Sequence, residues 1–398
     1  VLTALYTIFG GMKSVLYTSV LQTPILLLGS LIILVLGFKE LGGWDEMMRV
    51  CGAVTVNDYG DTMTNLIRSN DDANFPWLGA LIGSAIIGFW YWCTDQFIVQ
   101  RVLSGKNEME ARRGTIFGAY LKLLPVFLFL IPGMIAFALH QKYIGAGGEG
   151  FLPMLANGTA NADAAFPTLV AKLLPAGVKG LVVCGILAAL MSSLASLFNS
   201  SAMLFTIDFY KRFKPETPEK KLVGIGQIAT IVIVVLGILW IPIMRSVGDV
   251  LYTYLQDVQS VLAPGIAAAF LLGICWKRTS AQGGMWGLIS GMVIGLTRLG
   301  AKVYYSNAGE VADSTFKYLF YDMNWLFFCG WMFLFCIIVV IVVSLATEAP
   351  TAEKIQGLVF GTATKEQKAA TRASWNHWDI IHTVIILAIT AAFYWYFW

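Results

Sequence analysis

Charge is scarce in this chain of 398 residues: Asp, Glu, Lys and Arg together make up 13%. Soluble domains carry about a quarter. A chain that is 57% hydrophobic, with a mean hydropathy of +0.70, has too few polar groups to cover itself in water. That excludes a soluble enzyme and a disordered chain together. The net charge is only +3, so no basic footprint is offered to nucleic acid. The three histidines, His140, His377 and His382, are isolated, and zinc spacing is absent. The six cysteines contain no CxxC and five lie inside apolar runs, so neither a disulfide framework nor a zinc site is expected. No Walker A sequence occurs, and no GxGxxG follows a strand, so nothing supports ATP-driven chemistry. The apolar segments are continuous rather than alternating, which excludes a β-barrel. What remains is an all-α polytopic membrane protein.

A spanning helix needs about 20 apolar residues. Nine stretches qualify: Val20–Phe38, Pro76–Thr94, Gly114–His140, Gly180–Ile207, Leu222–Met244, Val250–Trp276, Ser280–Thr297, Met323–Ala346 and Ile380–Trp398. Residues 1–10 read as the tail of another span. The chain starts at Val1 without a secretory signal pattern, and reads as part of a larger protein. Basic residues fall in alternate connections: Arg101, Lys106, Arg112 and Arg113; then Lys211, Arg212, Lys214, Lys220 and Lys221; then Lys277 and Arg278; then Lys354, Lys365, Lys368 and Arg372. The positive-inside rule places these in the cytoplasm. The C-terminus is then extracellular or periplasmic, on a multi-pass protein of the plasma (inner) membrane. The connections 39–75 and 141–179 are long, and are expected as surface loops rather than lids.

Polar groups at membrane depth are expensive and point to function. Lys122 lies about two turns into the third span, where it either snorkels to the cytoplasmic face or lines a polar cavity. Trp90, Tyr91 and Trp92 precede Asp95 and Gln96 at the end of the second span. They form an interfacial belt or a stacking surface, and aromatic faces beside hydrogen-bonding groups suit a sugar ring. On the fourth span Ser192, Ser196 and Ser200 share a face at i, i+4, i+8, and Ala189 and Ser193 repeat at i+4. Small-residue helix packing is one reading. A sodium site is the other, because a hard cation takes hydroxyl and carbonyl oxygens. The sixth span holds Gln256 and Asp257 before Pro264-Gly265, the pattern of a kinked, discontinuous helix.

These residues resemble the sodium/glucose cotransporter family of the solute:sodium symporters. The resemblance runs over nearly the whole chain. It is carried by Trp90-Tyr91-Trp92-Cys93-Thr94-Asp95-Gln96, Tyr120-Leu121-Lys122-Leu123, Leu190-Met191-Ser192-Ser193-Leu194 and Phe270-Leu271-Leu272-Gly273 with Trp276-Lys277-Arg278. It implies a partial LeuT-type inverted-repeat fold. Residues 1–38 would end the first repeat, 39–75 form an extracellular loop, and 76–276 supply the second five-helix repeat. Residues 277–398 would add three peripheral helices, with a cytoplasmic loop near 348–378. By resemblance, Tyr91 is an inner gate under the substrate, and Trp92, Lys122 and Gln256 are sugar-site positions. Ala189, through its carbonyl, and Ser192 and Ser193, through hydroxyls, are sodium-site positions; Asp95 and Ser196 are further candidates.

Three departures from the family pattern stand out. Tyr17-Thr18-Ser19-Val20-Leu21-Gln22 has Ser19 where family members often carry Asp, and Ala195 stands where members with a second sodium site carry a hydroxyl. Gly88 replaces a polar residue that can touch the sugar. The expectation is a symporter, not an enzyme, that carries one Na+ with a glucose- or galactose-like monosaccharide across a lipid bilayer. Inositol or a monocarboxylate are alternative substrates, and a sugar-gated sensor or channel is the alternative activity.

Overall fold

The computed structural model describes the backbone of residues 2–155, 158–245, 251–307 and 312–397, and side chains there except 2, 4–16, 18, 21, 242–245, 251–254 and 307. Val250 and Trp398, at the ends of two expected spans, lie outside the described residues. The principal helices are α1 (Leu2–Leu41), α2 (Trp44–Gly52), α3 (Trp77–Phe89), α4 (Gln96–Leu103), α5 (Glu108–Pro125), α6 (Ile131–Gly145) and α7 (Ala165–Leu173). They continue with α8 (Ala176–Met203), α9 (Glu219–Arg245), α10 (Leu251–Cys275), α11 (Ala281–Asn307), α12 (Trp325–Ala346), α13 (Lys365–Ala373) and α14 (His377–Tyr396). Pairing of β type among the described residues is confined to two isolated bridges, Thr55 with Thr62 and Met154 with Ala160.

Residues 2–10 are not the tail of a separate span. They continue unbroken into α1, which contains Pro24. Gly10-Gly11 weakens a helix but supplies no turn chemistry to stop it. Eight helical stretches are long and apolar enough to cross a membrane among the described residues, not nine. The difference is the expected span Ser280–Thr297. It is helical, as α11, but a column of glycines dilutes its apolar content.

The chain divides into two compact units. The first comprises Val1–Val56, Thr62–Thr64 and Gly118–Gly248. Here α1 and α8 pack along their lengths, with Gly185 against Ile25 and Leu26. Ile33, Leu41, Met47, Ile131, Ile135, Leu139, Leu169 and Val182 form its core. The two long connections, 39–75 and 141–179, contain packed structure rather than plain surface loop. Gly42 and Gly43, with φ of 112° and 106°, turn the chain into α2, whose Met47 and Cys51 are fully buried. In the other, Leu152 N–H donates to His140 Nδ1 at 3.0 Å, and Lys172 Nζ donates to the Phe151 carbonyl at 2.8 Å. An apolar residue every fourth position buries one face of each short helix, which is why they dock.

The second unit comprises Asn57–Asp61, Asn65–Phe117 and Asp249–Trp398. Its centre is α10, α11 and α12, with α3 beside α10 and α12. Gly283, Gly287, Gly291 and Gly295 repeat at i+4 along α11, so one face carries no side chains. That lets α10 approach until a Cβ at Gly291 would meet the Gly265 Cα at 3.0 Å. A Gly291→Leu substitution is therefore expected to cost about 1–3 kcal/mol through overpacking. Thermal melting of the purified protein checks it, against Gly284→Leu, where a Cβ meets nothing within 4 Å.

Hydrogen bonds within this unit join connections expected on the same side of the membrane. Asn324 Nδ2 donates to the Ala73 carbonyl at 2.7 Å, and Leu66 N–H to the Phe397 carbonyl at 2.8 Å. Arg112 Nη2 donates to Ser374 Oγ at 3.1 Å, and Phe360 N–H to the Ile274 carbonyl at 2.8 Å. The first two involve the acidic connection 39–75, and the last two lie beside basic ones.

Candidate functional site

The first candidate region is an interruption in the second unit. After α3 the chain widens into a π turn over Trp90–Thr94, closed by Asp95 N–H to the Trp90 carbonyl at 3.1 Å. Asp95 is extended (φ −71°, ψ 119°), and its carboxylate accepts from Phe97 N–H at 3.0 Å. Asp95 is thus the N-cap that starts α4, a role its residue type favours. Thr94 Oγ1 donates back to the Trp90 carbonyl at 2.8 Å. A π turn followed by a break leaves an apolar span with irregular backbone, a feature found at functional sites.

This turn presents the three aromatics. Tyr91 and Trp92 meet edge to face, ring centroids 5.2 Å apart and planes at 88°. Trp90 and Tyr91 are 6.2 Å apart. Trp92 is half exposed.

The helix that bears Gln256 runs beside this turn. Ala263 and Ala267 of α10 lie in one cluster with Ile86 and Ile87 of α3, and Trp90 packs against it. The sequence pattern predicts a discontinuous helix at Pro264-Gly265. The structure corrects this: α10 is helical without a break from Leu251 to Cys275, Pro264 included. Pro264 has no N–H for the Ser260 carbonyl, and the helix runs on without that one bond. The broken element of this unit is the α3–α4 span.

Sequence reasoning missed two residues here. Asp257, next to Gln256, is buried and pairs with Arg298 Nη2 at 3.5 Å and with Lys302 Nζ. A hydropathy reading stops at the first charge, so Arg298 fell just beyond the expected end at Thr297. The signal was present: Arg298 and Lys302 are four residues apart, on one face of a helix that outlasts the apolar run.

The second candidate region belongs to the first unit. On α8, Ala189, Ser192 and Ser193 stand at i, i+3, i+4, so one carbonyl and two hydroxyls gather on one turn. Ser192 is buried, and its hydroxyl pairs with Ser19 Oγ of α1 at 2.5 Å. Ser196 Oγ donates to the Ser192 carbonyl at 3.1 Å, and Ser200 Oγ to the Ser196 carbonyl. Those two serines turn back into their own helix. Ser193 does not; it is exposed. The oxygen set of Ala189, Ser192 and Ser193 is neutral and hard, which fits a monovalent cation better than a divalent one. Among the described residues no cluster of three or more His, Cys, Asp or Glu could hold a metal ion. Lys122, on the first-unit part of α5, is exposed. The structure therefore places Tyr91, Trp92, Asp95 and Gln256 in one unit, and Lys122, Ala189, Ser192, Ser193 and Ser196 in the other.

Comparison with known proteins bears on both regions. Residues 1–291 match the model of the Sodium:solute symporter family. The sodium/mannose cotransporter of Bos taurus is 35% identical over all of this chain and 70% of its own length. The sodium/myo-inositol cotransporter 2 of Homo sapiens is 36% identical over 91% of this chain and 55% of its own. The sodium/glucose cotransporter 1 of Ovis aries is 38% identical over 87% and 55% respectively. The chain thus spans little more than half the length of the last two. Among solved structures, a Na+-coupled sialic acid symporter in its substrate-bound, outward-open state superposes with a TM-score of 0.63 at 21% identity, over 88% of this chain and 66% of that one. That likeness shows the fold, in keeping with the LeuT-type architecture expected from the sequence.

Proposed function

Because the chain belongs to the sodium:solute symporter family, as its match over residues 1–291 shows, we propose that its protein couples Na+ entry to uptake of a glucose- or galactose-like monosaccharide. The observation that carries the sugar reading is the edge-to-face Tyr91–Trp92 pair at the α3–α4 interruption, beside the helix bearing Gln256. Sugar C–H faces stack on such rings, and an amide pairs with their hydroxyls. Lys122 would add a donor for hydroxyls. Na+ would bind the Ala189 carbonyl and the Ser192 and Ser193 hydroxyls. The ion is cargo: it favours the outward state, and by linkage its binding raises sugar affinity there.

The driving force follows from the gradients. One Na+ moving down about 100 mV releases about 2.3 kcal/mol. A tenfold concentration ratio adds about 1.4 kcal/mol. Together these sustain a sugar gradient of several hundredfold at one Na+ per sugar. The segment 76–276 would act as the second inverted repeat, with 1–38 ending the first and 277–398 peripheral. The protein would sit in the plasma or inner membrane with its C-terminus outside, as the segregated charges imply.

A second reading is a cyclitol substrate, favoured by the human relative named for myo-inositol. Both readings are tested by reconstituting the full-length protein in proteoliposomes with an inward Na+ or K+ gradient. Glucose, galactose, mannose, myo-inositol and a monocarboxylate are offered in turn. Saturable uptake of a hexose under Na+ alone is expected. Preference for inositol selects the second reading. Na+ current without uptake of any solute overturns both in favour of a sensor or channel.

A further inference from the structure

We propose that Asp257 is a positioning residue for substrate recognition, holding α10 at the rotation that aims Gln256 at the sugar. This rests on the reading of Gln256 as a sugar contact. Consecutive residues of a helix project about 100° apart. Fixing Asp257 therefore fixes the direction of Gln256. Asp257 is fixed from two sides. One carboxylate oxygen faces Arg298 Nη2 at 3.5 Å, and the other accepts from Lys302 Nζ.

Arg298 is itself immobilised. It is fully buried, donates to the Met323 carbonyl at 2.8 Å and the Leu319 carbonyl at 3.5 Å, and lies 4.1 Å from the centroid of the Phe328 ring. The anchor thus runs from α10 through α11 to the turn before α12, and into α12. Every member lies in the second unit.

Apolar packing does not supply the same control. Most of the residues that meet here are small: Gly291 lies against Gly265, and Ala263, Ala267 and Ala268 are fully buried on α10, while Val261 seats a branched side chain over Gly295. Small residues let helices approach closely, but they offer few knobs against rotation. A buried ion pair is a poor source of net stability, since apolar replacements often do as well. Fixing a register is the better-attested use of such a group. One carboxylate also faces two cations, so losing its charge leaves both uncompensated, and neither then holds α10.

The test is sugar uptake by the full-length protein in proteoliposomes, normalised to the transporter incorporated. Asp257→Asn keeps the shape and removes the charge. It is expected to raise the half-saturating sugar concentration about tenfold, with maximal turnover within twofold of wild type. Because Asp257 acts through Gln256, the double variant Asp257→Asn with Gln256→Ala should be no worse than Gln256→Ala alone. Adding Lys302→Gln to Asp257→Asn should recover part of the affinity, since a neutral amide pair replaces two stranded cations. If Asp257→Asn does not fold, Asp257→Glu keeps the charge and shifts it by one methylene, and the same rise with turnover retained is expected. Unchanged half-saturation in the variant that folds, or losses in the double variant that multiply, would overturn the proposal. If Gln256→Ala alone leaves affinity unchanged, the sugar-contact reading has failed instead.

Discussion

A Ser193→Ala variant of the full-length protein is expected to lose Na+-stimulated uptake almost completely, while reaching the membrane in normal amounts. The oxygen set on α8 is small: one carbonyl at Ala189 and two hydroxyls. No carboxylate stands within it to compensate a missing ligand. Ser193 is exposed and ties nothing in the fold, so its hydroxyl can be removed with little effect on stability. Ser192 is the opposite case, buried and paired with Ser19, so its loss would mix folding with binding. Ser196 serves as the comparator. Its hydroxyl donates to the Ser192 carbonyl, and Ser196→Ala is expected to change Na+ half-saturation less than threefold. Uptake against Na+ concentration measures both. Retained stimulation in Ser193→Ala with loss in Ser196→Ala would move the ion one turn along α8.

The Ser19–Ser192 contact also bears on stoichiometry. By the family resemblance, Ser19 and Ala195 stand where a second sodium site would need a carboxylate and a hydroxyl. Here a neutral hydroxyl fills the first place and is spent on Ser192, and Ala195 is fully buried. One Na+ per sugar is therefore the expected result on the proposed reading, measured as the reversal potential at varied gradients. A ratio of two would refute it.

How legible this was differs by element. Scarce charge and long apolar runs were enough for a helical membrane protein, because bilayer thickness and backbone hydrogen bonding leave few alternatives. The Trp-Tyr-Trp turn and the serine ladder were visible because unusual residues at helical spacing survive in one dimension. The break at Asp95 was readable too, as an N-cap residue ahead of Gln96, yet Pro264 drew the expectation of discontinuity to α10. Proline forbids one hydrogen bond, but the helix runs on through it. Arg298 was hidden because hydropathy treats a charge as a boundary. Its desolvation is compensated by a carboxylate 41 residues away in sequence, at position 257, and by carbonyls at 319 and 323. The glycine column of α11 lowered its apparent apolarity for the same reason: what it buries is backbone, not side chain.

Replacing Gln256 or Tyr91 by alanine is expected to remove most sugar affinity by two different routes. Gln256 is half-buried on α10, and its amide offers both donor and acceptor. Its loss leaves sugar hydroxyls unpaired inside the site, which costs about 1–3 kcal/mol, or roughly ten- to a hundredfold in half-saturation. A Gln256→Glu variant keeps the acceptors and loses the donors, so it should fall between wild type and alanine. Tyr91 loses something else. Its ring meets Trp92 edge to face, and an aromatic pair of this kind contributes about 0.5–1.5 kcal/mol beyond its buried area. Without it Trp92 loses this edge-to-face partner, and on the proposed reading of Tyr91 as an inner gate closure is lost as well. Tyr91→Phe keeps the ring and should retain most of the affinity, whereas Tyr91→Ala should also let sugar leak without Na+. Initial uptake rates under Na+ and K+ gradients separate these effects. Wild-type half-saturation in both alanine variants would remove the sugar from this part of the molecule, and with it the reading of Trp92 as a stacking face.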